Sequence, residues 1–419
     1  MTAPSPAPTP TRSLQRARVG VALLFLMNGV GFANLVPRLP EIRVSLGLSY
    51  TGYGVTIAMQ ATGALLIGLV AGHLIRRLGS ALVATLSMTA LGVGVALAGV
   101  APTALLFGAA LFLTGGLDAI ADVAQNAHGI RVQRAYGRSI LNSFHATWSI
   151  GAVAGGLMGG AAAGLKVPLS AHLAVVALLM AVVNLAGHRL LLRGPERDTE
   201  LDEAELDFAE QEAAVPHHPS TGAVARGVWL MLLALGVIAM SGTWVEDAGA
   251  TWSASYLTDR FGAGATVAAL GFVALQGMQF VGRTLGDRMV DRWGQRAVAR
   301  VGALIGLVGM GSALAFPTLW GTILGFGLAG FGVATLIPSA MHAADELPGF
   351  RPGSALTILG GLLRASFLLS PPVVGAIADS YGLRAGLLMM PVSAVLVLAL
   401  AGVLATRHEP SAHGGPTVR

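Results

Sequence analysis

The spacing of its charges constrains this chain more than any other feature. Between residues 19 and 405, apolar runs of about twenty residues follow one another, with charges almost confined to the gaps. A run of that length crosses the hydrocarbon core of a bilayer as a helix. Only helices and closed barrels satisfy every backbone N–H and C=O there. Twelve runs qualify, at 19–37, 52–74, 80–100, 103–129, 140–163, 168–192, 227–257, 265–287, 297–316, 318–343, 353–378 and 382–405. The expected fold class is an all-α membrane protein of twelve transmembrane helices. Charged residues are 11% of the chain, against about 25% in a soluble domain. That scarcity excludes a soluble enzyme and a nucleic-acid binder, despite the net charge of +5. With no cysteine, a disulfide scaffold is excluded as well.

Orientation follows from where the basic residues fall. With the N-terminus inside, twenty of the 26 lysines and arginines lie on the cytoplasmic side. They run from Arg12, Arg16 and Arg18 to Arg407 and Arg419. The opposite side holds Arg38, Arg43, Lys166, Arg260 and Arg384, and Arg364 is left within a span. Both termini are therefore expected in the cytoplasm, and the protein in a bacterial inner membrane. Residues 1–18 read as a disordered cytoplasmic tail, 19–193 as a six-helix bundle and 194–226 as an acidic cytoplasmic linker. Residues 227–405 read as a second bundle and 406–419 as a cytoplasmic tail. The linker carries nine of the 21 acids, Glu196 to Glu212.

The two halves repeat at an offset of 215 residues. Gly72-His-Leu-Ile-Arg-Arg-Leu-Gly79 maps onto Asp287-Arg-Met-Val-Asp-Arg-Trp-Gly294, and Gly115 onto Gly330. The glycine run ending at Gly160 maps onto Pro371-Pro372-Val-Val-Gly375. Duplicated halves with a site near the midplane are a common transporter design. On these residues the chain resembles the major facilitator superfamily from about residue 15 to 405. The second copy keeps Asp291, Arg292, Gly294 and Arg296 of the superfamily's loop pattern Gly-x-x-x-Asp-Arg-x-Gly-Arg-Arg. The first keeps Gly72, Arg77 and Gly79 but has Arg76 where the acid is expected. With Asp287, these are candidate gating-loop residues. Gly151-x-x-x-Gly155-Gly156-x-x-Gly159-Gly160 is similar to the superfamily's antiporter pattern, or else serves close helix packing.

A finer resemblance is to a bacterial branch similar to fucose-permease-like porters, which includes a rhizopine-associated membrane protein. It rests on Pro37–Arg43, Asp122 to His128, Ser143 to Ser149, Glu246 six residues before Trp252-Ser253, and Ser370-Pro371-Pro372. Two positions depart from the branch: Thr251 stands for an acid and Arg364 for an aromatic.

A charge inside a span is expensive, about 2.5–3.5 kcal/mol on insertion scales, and normally faces the bundle interior. Asp118, Asp122, Glu246 and Asp247 are therefore candidates for proton coupling. Asp118, Asp122 and Gln125 share one helix face at i, i+4, i+7. Candidates for the substrate cavity are Asn28, Gln125, Asn126, His145, Trp148, Trp244, Thr251, Trp252, Gln276 and Arg364. Arg364 is expected either to bind an anionic group or to pair with Asp118, Asp247 or Glu246. Trp244 and Trp252 could stack on a ring, and Trp252 could equally anchor at the membrane interface. No phosphate-binding loop, metal-ligand cluster or nucleophile elbow is present. The expectation is a monomeric secondary transporter of a small polar or amphipathic solute, without cofactor, metal or enzymatic activity. Proton symport of a sugar- or cyclitol-like solute, proton antiport in efflux, and a non-transporting receptor or scaffold are the readings left open.

Overall fold

A computed structural model describes residues 11–138, 140–194, 226–350 and 353–405. The acidic stretch of the linker, Arg197, Arg351, residues 1–10 and the C-terminal tail from residue 406 lie outside the described residues. All regular secondary structure among the described residues is helical.

Twelve helical spans follow in order. They are α1 Arg12–Ser45, α2 Tyr50–Leu78, α3 Ser80–Ala98, α4 Ala104–Tyr136, α5 Leu141–Gly164 and α6 Leu169–His188. The second set is α7 Arg226–Phe261, α8 Ala265–Trp293, α9 Gln295–Ala315, α10 Leu319–Asp345, α11 Ser354–Tyr381 and α12 Leu383–Val403. Eleven are long and apolar enough to cross a membrane on those grounds alone. The exception is α5, a 24-residue helix whose first nine residues include Asn142, Ser143, His145, Thr147, Trp148 and Ser149. It is about 36 Å long at 1.5 Å per residue, which is enough to span. Because α5 lies along α1 on one flank and α8 on the other, less of it needs to match lipid.

Helix starts are set by hydroxyl caps, which satisfy the first orphan N–H groups. Thr11 accepts from the Leu14 amide at 3.4 Å, so α1 begins at Arg12 and residues 12–18 are helical rather than part of a disordered tail. The basic residues there need not enter the hydrocarbon, because the helix extends beyond it. Ser49, Thr103 and Thr318 cap α2, α4 and α10 in the same way. A 3-10 turn at Val36–Arg38, with Pro37 in it, breaks the regular winding of α1.

The repeat is visible in the packing. Gly79 and Gly294 both take φ near +80° (82° and 80°, with ψ 146° and 155°), each ending one span and starting the next. A side chain at Gly115 would strike the carbonyl of Gln60; one at Gly330 would strike the carbonyl of Leu275, the residue 215 positions after Gln60. The halves meet through the same pairs twice. Gly160 lies against Thr266, and 215 positions on Gly375 lies against Thr51, with Tyr50 beside it. The two contact faces, α5 on α8 and α2 on α11, are thus related by a pseudo-twofold. Two bundles, α1–α6 and α7–α12, pack side by side across them.

Candidate functional site

Between the bundles lies a cavity of about 290 Å³, lined by α1 to α5 of the first half and α7, α8 and α11 of the second. Its polar lining consists of Asn28, Gln60, Thr114, Asp118, Trp148, Glu246, Asp247, Thr251, Gln276 and Arg364. Phe32, Ile57, Leu65, Leu91, Val95, Phe272, Leu363 and Phe367 make the apolar wall. Large apolar surfaces with a few convergent polar groups are the usual build of a small-molecule site.

On the first-half wall the polar groups form a chain. The Trp148 indole N–H donates to Asn28 Oδ1 at 2.6 Å. The Asn28 amide donates to Asp118 Oδ1 at 2.8 Å. Asn28 thus links α5 to α4 through both ends of its amide. Gly29, beside it, lets α1 approach α5 so closely that a Cβ would overlap the Trp148 carbonyl. That approach is what sets the short indole–amide bond.

On the second-half wall, two neighbouring acids sit in different surroundings. Glu246 accepts from Gln279 Nε2 at 2.7 Å and from the Arg283 guanidinium at 3.4 Å. Asp247 has the Thr251 and Ser370 hydroxyls beside it, yet its Oδ2 is buried and meets no donor at hydrogen-bonding distance. Gln276, only 8% exposed, likewise keeps a buried Oε1 without a donor. Among the described residues, neither Asp118 nor Asp247 forms an ion pair with a cationic side chain.

The remaining sequence candidates fall outside the cavity wall. The face shared by Asp118, Asp122 and Gln125 reaches it only at Asp118. Lower on α4, Gln125 Nε2 donates to Asp122 Oδ1 at 2.5 Å, and Gln125 and Asn126 are fully buried among neighbouring helices. His145 stands edge-on to the Phe25 ring at 5.1 Å. Trp244 is half-buried, and its buried indole nitrogen has no partner among the described residues. Trp252 is 0% exposed and lies edge-on to Tyr53 at 5.0 Å, in the α2–α7 contact between the bundles. It therefore neither lines the cavity nor faces lipid, the two roles its position in the sequence suggested.

The loop candidates lie at the end of the molecule where the described chain starts and stops, at Thr11 and Ala405. Arg76, Arg77, Asp287, Asp291 and Arg292 are exposed, and Gly72 and Gly294 are buried. Arg296 binds the end of its own bundle: its Nε donates to the Leu404 carbonyl at 3.0 Å and its amide to the Ala405 carbonyl at 3.0 Å. At the opposite end the two halves are stitched together directly. Arg43 pairs with Asp259 at 3.0 Å, and the Tyr50 hydroxyl donates to the same carboxylate at 2.7 Å. Asp379 accepts the Tyr50 and Thr51 amides at 2.8 Å each, capping α2 from the other bundle. The Thr266 hydroxyl donates to the Gly160 carbonyl at 3.0 Å.

The family match spans both halves: residues 21–288 and 232–418 each match the Major Facilitator Superfamily. The chain belongs to this superfamily. It is 30% identical to an uncharacterized transporter, y4wD, of Sinorhizobium fredii, over 92% of this chain and 97% of that one. It is 27% identical to the membrane protein MosC of Rhizobium meliloti, over 93% and 90% of the two chains. Among solved structures, a bacterial homologue of the lysosomal transporter Spinster superposes with a TM-score of 0.70, covering 96% of this chain and 100% of that one. At 12% identity that likeness speaks for the fold alone. The protein is a multi-pass transporter of the superfamily, and its central cavity lies between the two bundles that the fold duplicates.

Sequence reasoning missed the apolar wall of this cavity. Phe32, Phe272 and Phe367 look like any other apolar residue within a span, and only three-dimensional packing separates lipid-facing from cavity-facing ones. Gln60, a polar side chain stranded in an apolar run, is legible in the sequence as a residue that lines the cavity or bridges helices, and it borders the cavity.

Proposed function

We propose that this transporter carries a small, hydroxyl-rich, ring-shaped solute, of sugar or cyclitol type, across the bacterial cytoplasmic membrane by alternating access and with proton coupling. It acts as a monomer, with both termini in the cytoplasm, an orientation that rests on the excess of arginine on that side. The observation that carries the reading is that Asp118 and Asp247, one in each half, border one central cavity, and that among the described residues neither forms an ion pair with a cationic side chain. Burying a carboxylate without a countercharge is expensive. Such an acid takes up a cation before the cavity closes around it, which ties ion movement to the rocking of the halves. Amide and hydroxyl groups at Asn28, Gln60, Thr114 and Gln276 suit solute hydroxyls, and the faces of Trp148, Phe32 and Phe272 suit a ring.

Efflux draws no separate support from the glycine run. Gly151, Gly155 and Gly159 admit the backbone of α1 at Leu26, Val30 and Asn34, and Gly156 and Gly160 admit α8. Both stripes are used for packing.

Purified protein in liposomes, given an inward proton gradient and a panel of labelled sugars and cyclitols, tests the proposal. Asp118→Asn is expected to lose gradient-driven accumulation at least tenfold while keeping solute exchange without a gradient. Accumulation by Asp118→Asn at the normal level, or no solute moved by the unmodified protein, would sink it.

A further inference from the structure

The surroundings of Asp247 contain more oxygen than a proton needs. Asp247 and Thr251 stand one turn apart on α7, so both side chains lie on one flank. Ser370 of α11 adjoins the Asp247 carboxyl. It is 0% exposed, and its hydroxyl oxygen has no hydrogen-bond partner, as is also true of Asp247 Oδ2. Two buried oxygens of complementary type thus face the same place without closing on each other.

The next residues of α11 add to this. Pro371 and Pro372 lie inside the helix and have no N–H to give. The carbonyls four residues earlier, on Phe367 and Leu368, therefore lose their helical donors. Phe367 is one turn from Ser370 on the same flank, and Asp247, Thr251, Phe367 and Pro371 all border the cavity. Carboxylate, hydroxyl and proline-freed main-chain carbonyl are all hard oxygen donors, with no nitrogen or sulfur ligand among them. That donor type suits alkali and alkaline-earth ions rather than transition metals. Interrupted membrane helices present such carbonyls to sodium in other transporter folds. The set carries a single negative charge, since the neighbouring Glu246 is held by Gln279 and Arg283. One charge matches a monovalent ion and falls short of what calcium or magnesium sites use.

We infer that Asp247, Thr251, Ser370 and the Phe367 carbonyl form a sodium site beside the solute cavity. The inference does not depend on which solute is carried; it assigns Asp247 to sodium and leaves proton exchange to Asp118. It gives the second half of the molecule its own ion, drawn from the same cavity.

The test uses the full-length purified protein in detergent, with sodium chloride exchanged for choline chloride at constant ionic strength. Sodium is expected to raise the melting temperature saturably, by about 2–4 °C at tenfold excess over its dissociation constant. Asp247→Asn is expected to abolish that rise and to lose binding of radioactive sodium. Ser370→Ala, which keeps the acid and alters only a small hydroxyl, should weaken apparent sodium affinity at least tenfold; it also carries the test if Asp247→Asn does not fold. An equal rise with choline or potassium, an unchanged rise in both variants, or none in the unmodified protein would overturn the site and leave a plain hydroxyl–carboxylate contact. Because no transport is measured, failure here is distinct from failure of the proposed function.

Discussion

Asn28 is the residue on which the first-half wall depends, because it donates to Asp118 and accepts from Trp148 at once. Replacing it with alanine removes both bonds and strands two half-buried partners, each of which then bears part of a desolvation penalty that is about 1–3 kcal/mol for a fully buried neutral group and more for a charged one. Asn28→Ala should therefore raise the KM for the solute by well over tenfold. Trp148→Phe keeps the ring and loses only the indole N–H, a change of about 0.5–1.5 kcal/mol, or roughly threefold to tenfold in KM. Equal KM values for the two variants, measured in the same liposome assay, would show that the chain of bonds does not position the site. This wall was partly legible in the sequence. Asn28, Asp118, Trp148, Glu246, Asp247, Thr251, Gln276 and Arg364 are polar residues stranded in apolar runs, and all of them border the cavity. Asp122, Gln125, Asn126, His145, Trp244 and Trp252 give the same signal and do not border it, because helix periodicity fixes a face and not the depth at which that face meets the cavity.

At the scale of helices, the glycines determine how closely the spans approach. Gly115 against Gln60 and Gly330 against Leu275 are one contact made twice. Valine at either position forces a side chain onto a neighbouring carbonyl, and the backbone has to move. Overpacking of a tight interior commonly costs about 1–3 kcal/mol or more. Gly115→Val and Gly330→Val should lower the melting temperature in detergent by similar amounts, since the duplicated geometry makes the sites equivalent. Gly361, around which nothing lies within 4 Å, provides the control: Gly361→Ala should leave stability unchanged or slightly higher. A large loss at Gly361 with none at Gly115 would contradict the packing. The offset linking the two sites was readable from the chain because duplication preserves the residues that no side chain can replace. Helix ends were harder to read: Thr11 starts α1 at Arg12, well before the apolar run begins, since a capped helix runs on past the hydrocarbon.

For the whole molecule, the controlling feature is the set of bonds that join the halves at the end away from the termini. Asp379 caps the first two amides of α2 from the opposite bundle, and Asp259 holds both Arg43 and Tyr50. Because these bonds cross between bundles, they exist only while that end is shut, and they bias the rocking equilibrium by their full differential strength. A helix cap of this kind is worth about 0.5–2 kcal/mol, which alters the ratio of the two conformations about twofold to thirtyfold. The absence of cysteine allows a direct measurement, since a single introduced thiol reports without background. Ala64 borders the cavity and can carry it. In vesicles of known orientation, Ala64→Cys should react faster with an impermeant maleimide from the side away from the termini once Asp379→Ala or Asp259→Ala is added. The double variant should exceed either single one, because Asp379 holds the Tyr50 and Thr51 amides and Asp259 holds the Arg43 and Tyr50 side chains. Labelling from that side unchanged in all three would mean that the stitched end is held by the glycine-packed helix faces alone.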